Sequence, residues 1–150
     1  MHFKTAARQD LPEIVRLLAD DELGSRRERF EDPLPDSYIR AFSEMESQGG
    51  NEILLAVEDG NIIGCLQLTF IPGLSRLGMK RALIEGVRID RKHRGQKVGE
   101  ALFREAIRRA EAEGCGLVQL TTDKQRPDAL RFYEKLGFTA SHEGMKLILE

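Results

Sequence analysis

The hydrophobic residues of this chain are grouped in short segments separated by polar and turn-forming residues. Apolar segments of strand length are predicted at 3–6, 52–57, 62–70, 82–90, 117–122, 138–142 and 145–149. The second and third of these flank Glu58-Asp59-Gly60-Asn61, whose Asp-Gly pair predicts a tight hairpin. The pattern therefore predicts a sheet that begins with an N-terminal strand and ends with two short C-terminal strands.

Apolar residues at helical spacing predict helices between several of these strands. The predicted helices begin at Leu11, at Leu34 or Asp36 (ending near 47), at 97 (ending near 113) and at Pro127. Residues 20–36 are dense in charge and hold two prolines, which predicts a surface loop or a broken helix. This order of elements predicts a single domain over 1–150 with an α/β (α+β) layered fold.

Composition fits such a domain. The 150 residues are 41% hydrophobic and 32% charged, which is ordinary for a globular protein with a real core. No apolar run reaches membrane-spanning length, and the first residues lack a signal-peptide core, so we expect a cytoplasmic protein without membrane partners.

The net charge and the spacing of cysteines and histidines argue against nucleic-acid binding and against a metal site. The formal net charge is -2, which disfavours a general nucleic-acid binder. Cys65 and Cys115 are too few and too far apart for a disulfide framework or a metal site, and the three histidines show no ligand spacing. We therefore expect no bound metal.

A basic stretch at 88–102, RIDRKHRGQKVGEAL, precedes a predicted helix and contains Gly95 and Gly99. The start of a helix offers unpaired N–H groups and the positive end of its dipole, so a phosphate or pyrophosphate is a coherent ligand. A solvated basic helix start is an equally open interpretation of this fragment alone. The patterns of a nucleoside-triphosphate loop and of a dinucleotide fingerprint are both absent.

Two motifs together resemble one family. Arg94 to Gly99, R-G-Q-K-V-G, is similar to the acyl-CoA signature R/Q-x-x-G-x-G/A, with Lys97 in place of the first glycine. Downstream, ALRFYEKLGF at 129–138 is similar to A-x-x-F/L-Y-x-x-x-G-F. Their order and separation resemble the GNAT superfamily of acetyl-CoA-dependent N-acetyltransferases.

The resemblance implies a GNAT fold: a mixed, mostly antiparallel sheet of about six or seven strands, flanked by about four helices and splayed between the fourth and fifth strands. It implies acetyl-CoA as cosubstrate, with pyrophosphate on the helix start and pantetheine beside the fourth strand, where Gly86 is expected to form a bulge. The cosubstrate-binding residues implied are Val87, Arg88, Ile89, Arg94, Gly95, Gln96, Lys97, Val98, Gly99 and Glu100. Arg126 replaces a common Asn, and two interpretations stay open for it, a contact with CoA phosphate or a surface cap.

Two residues are candidates for the chemistry. Glu85 would lie with Leu83, Val87 and Ile89 on one face of an unbroken strand, where burial would raise the pKa of a carboxylate towards that of a useful base. Related family members carry a carboxylate in a similar I-E-x-V segment. Tyr133 matches the family's tyrosine and would be the acid that protonates departing CoA, although an apolar helix stripe also predicts it as a core residue. Either residue could instead be purely structural.

The resemblance implies transfer of acetyl to the primary amine of a small molecule by direct ternary-complex attack, since neither cysteine matches a catalytic position. The acceptor pocket is expected near 26–31, 76–81 and 142–143, whose mixed charges suit an amine that also carries an anionic group. The alternatives are a protein N-terminal or lysine acetyltransferase and a non-catalytic CoA-binding module. Family members are often dimers, so a homodimer is a further expectation.

Overall fold

The computed structural model describes residues 1–150 and contains five strands and six α-helices. The strands are β1 (His2–Thr5), β2 (Asn51–Glu58), β3 (Asn61–Ile71), β4 (Arg81–Ile89) and β5 (Leu117–Leu120). The helices are α1 (Leu11–Ala19), α2 (Glu22–Arg27), α3 (Asp36–Gln48), α4 (Ser75–Gly78), α5 (Val98–Ala112) and α6 (Pro127–Lys135). The predicted broken helix at 20–36 thus corresponds to the short α2 and the loop after it.

The strands form one mixed sheet in the order β1-β2-β3-β4-β5. The first four strands are antiparallel neighbours, and β5 lies parallel to β4. The mixed, mostly antiparallel sheet is confirmed, but the expected six or seven strands are not, since five are found. Residues 138–142 and 145–149 were predicted as strands and are not, because no neighbouring strand supplies them with a hydrogen-bonding partner.

Helices cover both faces of the sheet and give the protein three layers. On one face, Leu102, Phe103 and Ala106 of α5 pack on Leu54, Leu68 and Ile84, with α6 beside them. On the other face, Leu17 of α1 and Phe42 of α3 pack on Leu55 and Cys65. Four successive residues of β2 are buried, with Leu54 and Ala56 in the first layer and Leu55 and Val57 in the second, as expected for a strand covered on both sides.

A bulge in β4 changes which side chains face the core. Glu85 pairs with Gln67 and Arg88 pairs with Cys65, so three steps along β4 match two along β3. Gly86 takes a φ of +60°, a conformation that glycine adopts most easily, so the expected bulge is confirmed. Val87 and Ile89 consequently pack against the α5-side core, and the expectation that they share a face with Leu83 and Glu85 is wrong.

Pairing between β4 and β5 stops early. The last matched pair is Ile84 with Leu120, where β5 ends, whereas β4 continues to Ile89. The five residues of β4 beyond Ile84 therefore have no strand on their outer side. The expected separation of the fourth and fifth strands is present at this point.

None of the helices combines the length and the apolar character needed to cross a membrane.

Candidate functional site

A cleft of about 930 Å³ opens where β4 and β5 separate. Four elements form its walls: the outer half of β4, the residues after β5, the start of α5, and α6. The side chains and backbone that line it include Glu85, Val87, Arg88, Ile89, Arg94, Gly95, Lys97, Val98, Gly99, Glu100, Thr121, Arg126 and Tyr133. Most of the residues predicted from the sequence are thus brought together in one cavity; Gln96 is not among the lining residues.

The floor of the cleft at the start of α5 presents free backbone donors. The N–H groups of Lys97, Val98, Gly99 and Glu100 have no acceptor within the chain, and Lys97 makes no capping bond. Gly95 has a φ of +79°, which lets the chain turn into this helix start. Four adjacent free donors at a positive helix end suit a pyrophosphate.

Lys97 adopts a left-handed conformation, with φ 63° and ψ 18°. This is the position where the acyl-CoA signature has glycine. The left-handed conformation costs a residue other than glycine about 1–2 kcal/mol, which a folded protein can tolerate at one position. The N–H of Lys97 therefore remains among the free donors at 97–100, which we call the cradle, at this conformational cost.

Gly99 leaves little room for a side chain between α5 and α6. A Cβ at this position would lie 3.3 Å from Cζ of Phe132 on α6 and 3.7 Å from Cγ1 of Ile89 on β4. The absence of a side chain lets α6 approach the start of α5 closely. The glycine in the signature thus sets the width of the cleft.

The outer half of β4 offers a backbone edge. Asp90 donates its N–H to Ile63 on the β3 side at 2.8 Å, so the alternate residues Val87 and Ile89 direct their backbone groups towards the cleft. The Arg88 side chain donates from Nη1 to the carbonyl of Val87 at 2.8 Å. An extended ligand could pair with this edge in the manner of an added strand.

Glu85 lies in the cleft wall but is exposed. The expectation that it is buried on an apolar face is wrong, because the bulge at Gly86 separates it from the core-facing Val87 and Ile89. Its carboxylate is accessible from the cleft, so a role as proton acceptor has to rest on position and not on burial.

Tyr133 lies half-buried on the opposite wall, within an aromatic cluster. Its ring centroid is 5.4 Å from Phe103, 5.5 Å from Phe132 and 6.2 Å from Phe138. Burial raises the pKa of Tyr133 above its ordinary value, against the opposing charges of Arg126 and Arg88. The phenol therefore stays protonated at neutral pH and can donate a hydrogen bond or a proton.

An ionic cluster closes one side of the cleft. Arg126 bonds to Asp21, and Nε of Arg88 lies 3.8 Å from the same carboxylate but has no hydrogen-bond partner of its own. Burial lowers the pKa of Arg88, and the neighbouring Arg126 lowers it further. Burial alone would raise the pKa of Asp21, but the N–H of Gly24 and the two arginines hold it below its ordinary value. At neutral pH the cluster carries two cations and one anion, which leaves a net positive charge for a ligand.

Sequence reasoning did not identify Asp21, and it left the contact of Arg126 open. Arg126 bonds to Asp21, 105 residues away in sequence. Asp21 stands in a charge-dense stretch where nothing local marks it. Among the residues expected around the acceptor, Arg29 pairs with Glu31 and Lys80 with Glu113, and neither pair lines the cleft. Arg27, by contrast, lies 3.5 Å from Asp123 in the cleft wall.

The cysteines do not supply a nucleophile. Cys65 is buried, and burial raises its pKa to about 12, so its thiol is uncharged at neutral pH. Burial also raises the pKa of Cys115, which is not a lining residue of the cleft.

Comparisons with known proteins agree with this geometry. The model of the acetyltransferase (GNAT) family matches residues 13–138. A glucosamine 6-phosphate N-acetyltransferase of Trypanosoma brucei brucei is 29% identical over 142 residues, covering 90% of this chain and 95% of the relative. An aminoalkylphosphonate N-acetyltransferase of Salmonella typhimurium is 33% identical over 88 residues, which is 59% of this chain and 56% of the relative.

Among solved structures, a transcriptional regulator from Bacillus halodurans C-125 is 53% identical, with a TM-score of 0.95 over 99% of both chains. An acetyltransferase of Trypanosoma brucei is 27% identical, with a TM-score of 0.79 over 99% of both chains. The family model covers most of the chain and includes both motifs that form the cleft. This chain therefore belongs to the acetyltransferase (GNAT) family and is an acyltransferase.

Proposed function

We propose that the protein transfers acetyl from acetyl-CoA to the primary amine of a small molecule by direct attack within a ternary complex. One observation carries the proposal: free backbone donors, an open strand edge, a protonated tyrosine and an accessible carboxylate all line one cleft. GNAT acetyltransferases use acetyl-CoA as cosubstrate, which supplies the acetyl group as a thioester.

Backbone groups of two elements would hold the cosubstrate. The N–H groups at 97–100 fit the pyrophosphate, and the edge at Val87 and Ile89 fits the amide-bearing pantetheine arm. The donors at 97–100 are backbone groups, whereas on the strand edge the carbonyl of Val87 also accepts a hydrogen bond from Nη1 of Arg88. Arg94 and Lys97 add positive charge at the cradle.

Glu85 and Tyr133 would handle the protons. Glu85 accepts a proton from the acceptor's ammonium, directly or through water, and leaves the nitrogen lone pair free to attack. Nitrogen then bonds to the acetyl carbon and loses its second proton to solvent water, and the carbon–sulfur bond breaks. Tyr133 gives its proton to the departing thiolate and regains one from solvent.

Two neighbouring cations in the cleft wall, Arg88 and Arg126, favour an acceptor with an anionic group. Arg88 is partly buried, is near a second arginine, and has an unpartnered Nε. Two relatives are named for amines that also carry a phosphorus oxyanion, glucosamine 6-phosphate and an aminoalkylphosphonate. We therefore include a phosphate or phosphonate group in the proposed acceptor, with Arg88 and Arg126 as its contacts and Glu85 facing the ammonium.

A thiol-release assay with acetyl-CoA and a panel of amines tests the proposal. The panel contains glucosamine 6-phosphate, 2-aminoethylphosphonate, their uncharged analogues, free lysine and a peptide with a free N-terminus. We expect amine-dependent release of CoA, fastest with a phosphorylated or phosphonylated amine. Glu85→Gln should slow turnover most at acidic to neutral pH, where the amine is most protonated.

Two other functions would give different results in the same assay. Turnover confined to the peptide would indicate a protein acetyltransferase. Saturable binding of acetyl-CoA without turnover would indicate a non-catalytic module, an outcome of interest because the Bacillus halodurans protein is described as a transcriptional regulator. The accessible Glu85 and the protonated Tyr133 in one cleft support the catalytic alternative.

A further inference from the structure

Asp21 connects three elements in the wall of the cleft. It is the N-cap of α2, and its Oδ1 accepts the N–H of Gly24 at 2.6 Å. Its Oδ2 accepts a hydrogen bond from Nη2 of Arg126, at the start of α6, and lies 3.8 Å from Nε of Arg88 on β4. No other carboxylate forms an ion pair with either arginine. The placement of both cations therefore depends on this one side chain.

The helix α2 holds the Asp21 carboxylate in place. Gly24 is buried, and a Cβ on it would overlap the carbonyl oxygen of Leu18, so α2 packs directly against α1. At the other end of α2, Arg27 lies 3.5 Å from Asp123 in the segment between β5 and α6. The two ends of α2 thus carry opposite charges, and each pairs with the segment that leads into α6. These contacts fix α2 from two sides, and Asp21 with it.

Both arginines act on Tyr133, the proposed acid. Arg126 is the N-cap of α6, Tyr133 follows about two helical turns later, and Arg88 lines the same cleft. Burial raises the pKa of Tyr133, and the positive charges of Arg126 and Arg88 oppose that rise. A cation stabilises the phenolate and so favours loss of the proton. A carboxylate that neutralises these cations therefore favours the protonated phenol.

The elements that border Tyr133 also carry other charged side chains, of mixed sign. They line the cleft from β4 (Glu85), the start of α5 (Lys97 and Glu100), the segment after β5 (Asp123) and α6 itself (Asp128 and Lys135). Glu100 pairs with Arg104, and Asp123 pairs with Arg27, so neither carboxylate is bound to Arg88 or Arg126. Asp21 is thus the group that offsets the two cations next to Tyr133.

We propose that Asp21 is a positioning residue for the acid: it holds Arg126 and Arg88 in an ion cluster and thereby keeps the proton on the Tyr133 phenol. Without its negative charge, the guanidinium of Arg126 is free to turn towards the phenol, and the cluster gains one net positive charge. Tyr133 then loses its proton at a lower pH and has none to give to the departing thiolate. The use of that proton in acetyl transfer rests on the proposed function, whereas its retention depends on the ion cluster alone.

Tyrosinate absorbance tests the role of Asp21 on the free protein, without acetyl-CoA or an acceptor. The chain has two tyrosines and no tryptophan, so an ultraviolet difference titration in a Tyr38→Phe background reports Tyr133 alone. In that background, Asp21→Asn should lower the titration midpoint by about 1 pH unit or more, because the charge that offsets the two cations is lost. Asparagine still caps a helix, and circular dichroism at each pH checks the fold.

The matched control is Asp20→Asn, which removes the same charge one residue earlier. Asp20 lies 3.5 Å from Arg91, and neither residue lines the cleft. The midpoint of this variant should equal that of the background.

A second series asks whether Asp21 acts through Arg126. With Arg126→Gln added to the background, Asp21→Asn should shift the midpoint by less than about half as much, since effects within one ion network are not additive. Asp21→Ser also caps a helix but carries no carboxylate, and it should reproduce the shift if Asp21→Asn is unstable at alkaline pH. An unchanged midpoint in both Asp21 variants, an equal shift in Asp20→Asn, or an undiminished shift with Arg126→Gln would each overturn the proposal.

The pH profile of acetyl transfer separates the role of Asp21 from the proposed function. If Tyr133 is the acid, the alkaline limit of kcat in Asp21→Asn should move down together with the spectroscopic midpoint. A lower midpoint without a kinetic shift would support the role of Asp21 and contradict the acid role of Tyr133. An unchanged midpoint would overturn the role of Asp21 whatever the rate of acetyl transfer.

Discussion

At the scale of single residues, the cleft depends on side chains that approach from distant parts of the sequence. Tyr133 could be identified from its motif, and Glu85 from its place in a strand. The cluster of Asp21, Arg88 and Arg126 could not be identified, because its contacts join residues that only the folded sheet and helices bring together. Glu85 also shows the limit of local reasoning, since a one-residue bulge moved it from the expected buried face to an exposed one.

Replacing the phenol of Tyr133 tests its role as an acid. Tyr133→Phe keeps the ring within the aromatic cluster and removes only the proton donor. We expect kcat to fall by about 10²-fold, within the usual range for general acid catalysis, while calorimetric affinity for acetyl-CoA stays nearly constant. The chain's other tyrosine gives the control: Tyr38→Phe loses bonds to Glu28 and Arg29 outside the cleft and should leave kcat unchanged. An unaltered kcat in Tyr133→Phe would make Tyr133 a packing residue.

Arg88 is the residue on which selection of an anionic acceptor depends most. Arg88→Gln removes a partly buried cation whose charged hydrogen bond would be worth about 1.5–3 kcal/mol. We expect kcat/KM to drop by about 10- to 100-fold for a phosphorylated amine and by much less for its uncharged analogue. Arg26→Gln, an exposed arginine paired with Glu22, is the control. Equal losses for both amines would assign Arg88 to structure or to the cosubstrate.

At the scale of elements, the hairpin and the helices α1, α3, α5 and α6 follow from apolar spacing and turn residues. These are short-range features, and the chemistry of a few neighbouring residues decides them. The separation of β4 from β5 was inferred from family resemblance, because the residues of either strand alone do not predict how far one strand extends beyond the other. The left-handed start of α5 at Lys97 was likewise not evident, since its sequence lacks the usual glycine.

Lys97→Gly separates the conformation of the cradle from its charge. Glycine tolerates a positive φ, so we expect the free energy of unfolding to rise by about 0.5–1 kcal/mol in a denaturant titration. Affinity for acetyl-CoA should fall by less than about tenfold, because the N–H donors remain. Gly95→Ala is the reciprocal control and should lower stability by about 1 kcal/mol, since its φ is +79°. A much larger loss of affinity in Lys97→Gly would mean that the ammonium, not the backbone, holds the ligand.

An ion-pair network joins α5 to the sheet and makes stability depend on pH. Hydrogen bonds from Arg108 and then Arg109, against the effect of burial, lower the pKa of Glu105 to about 2. Arg109 also bonds to Glu52 on β2 at 2.8 Å. Because the folded-state pKa is depressed, Glu105 contributes stability above its unfolded pKa near 4.5, and that contribution disappears as pH falls towards 2.

Glu105→Gln should therefore destabilise the protein by about 1–3 kcal/mol at pH 7 in urea titrations. The difference in free energy of unfolding between this variant and the native chain should disappear between about pH 4.5 and pH 2. The variant Glu111→Gln, at an exposed position, should differ little from the native chain at any pH. A gap that does not change with pH would mean that Glu105 acts through packing alone.

At the scale of the whole molecule, the sequence predicted a layered α/β domain but not how its C-terminal residues end the sheet. The strand pattern at 145–149 is present in the sequence, yet a strand requires a neighbouring strand to pair with, and none pairs with these residues. Local propensity predicts that a segment can form a strand but says nothing about which segment pairs with it.

The most direct test of the acetyl-CoA site is a calorimetric titration of the protein with acetyl-CoA, run beside CoA that lacks the 3′-phosphate. The cleft at the start of α5 and along β4 predicts saturable one-to-one binding of acetyl-CoA. Because the cradle at 97–100 is assigned to the pyrophosphate, removal of the 3′-phosphate should weaken binding without abolishing it. No binding of either compound at millimolar concentration would contradict the assignment of this cleft, and with it the proposed acetyl transfer.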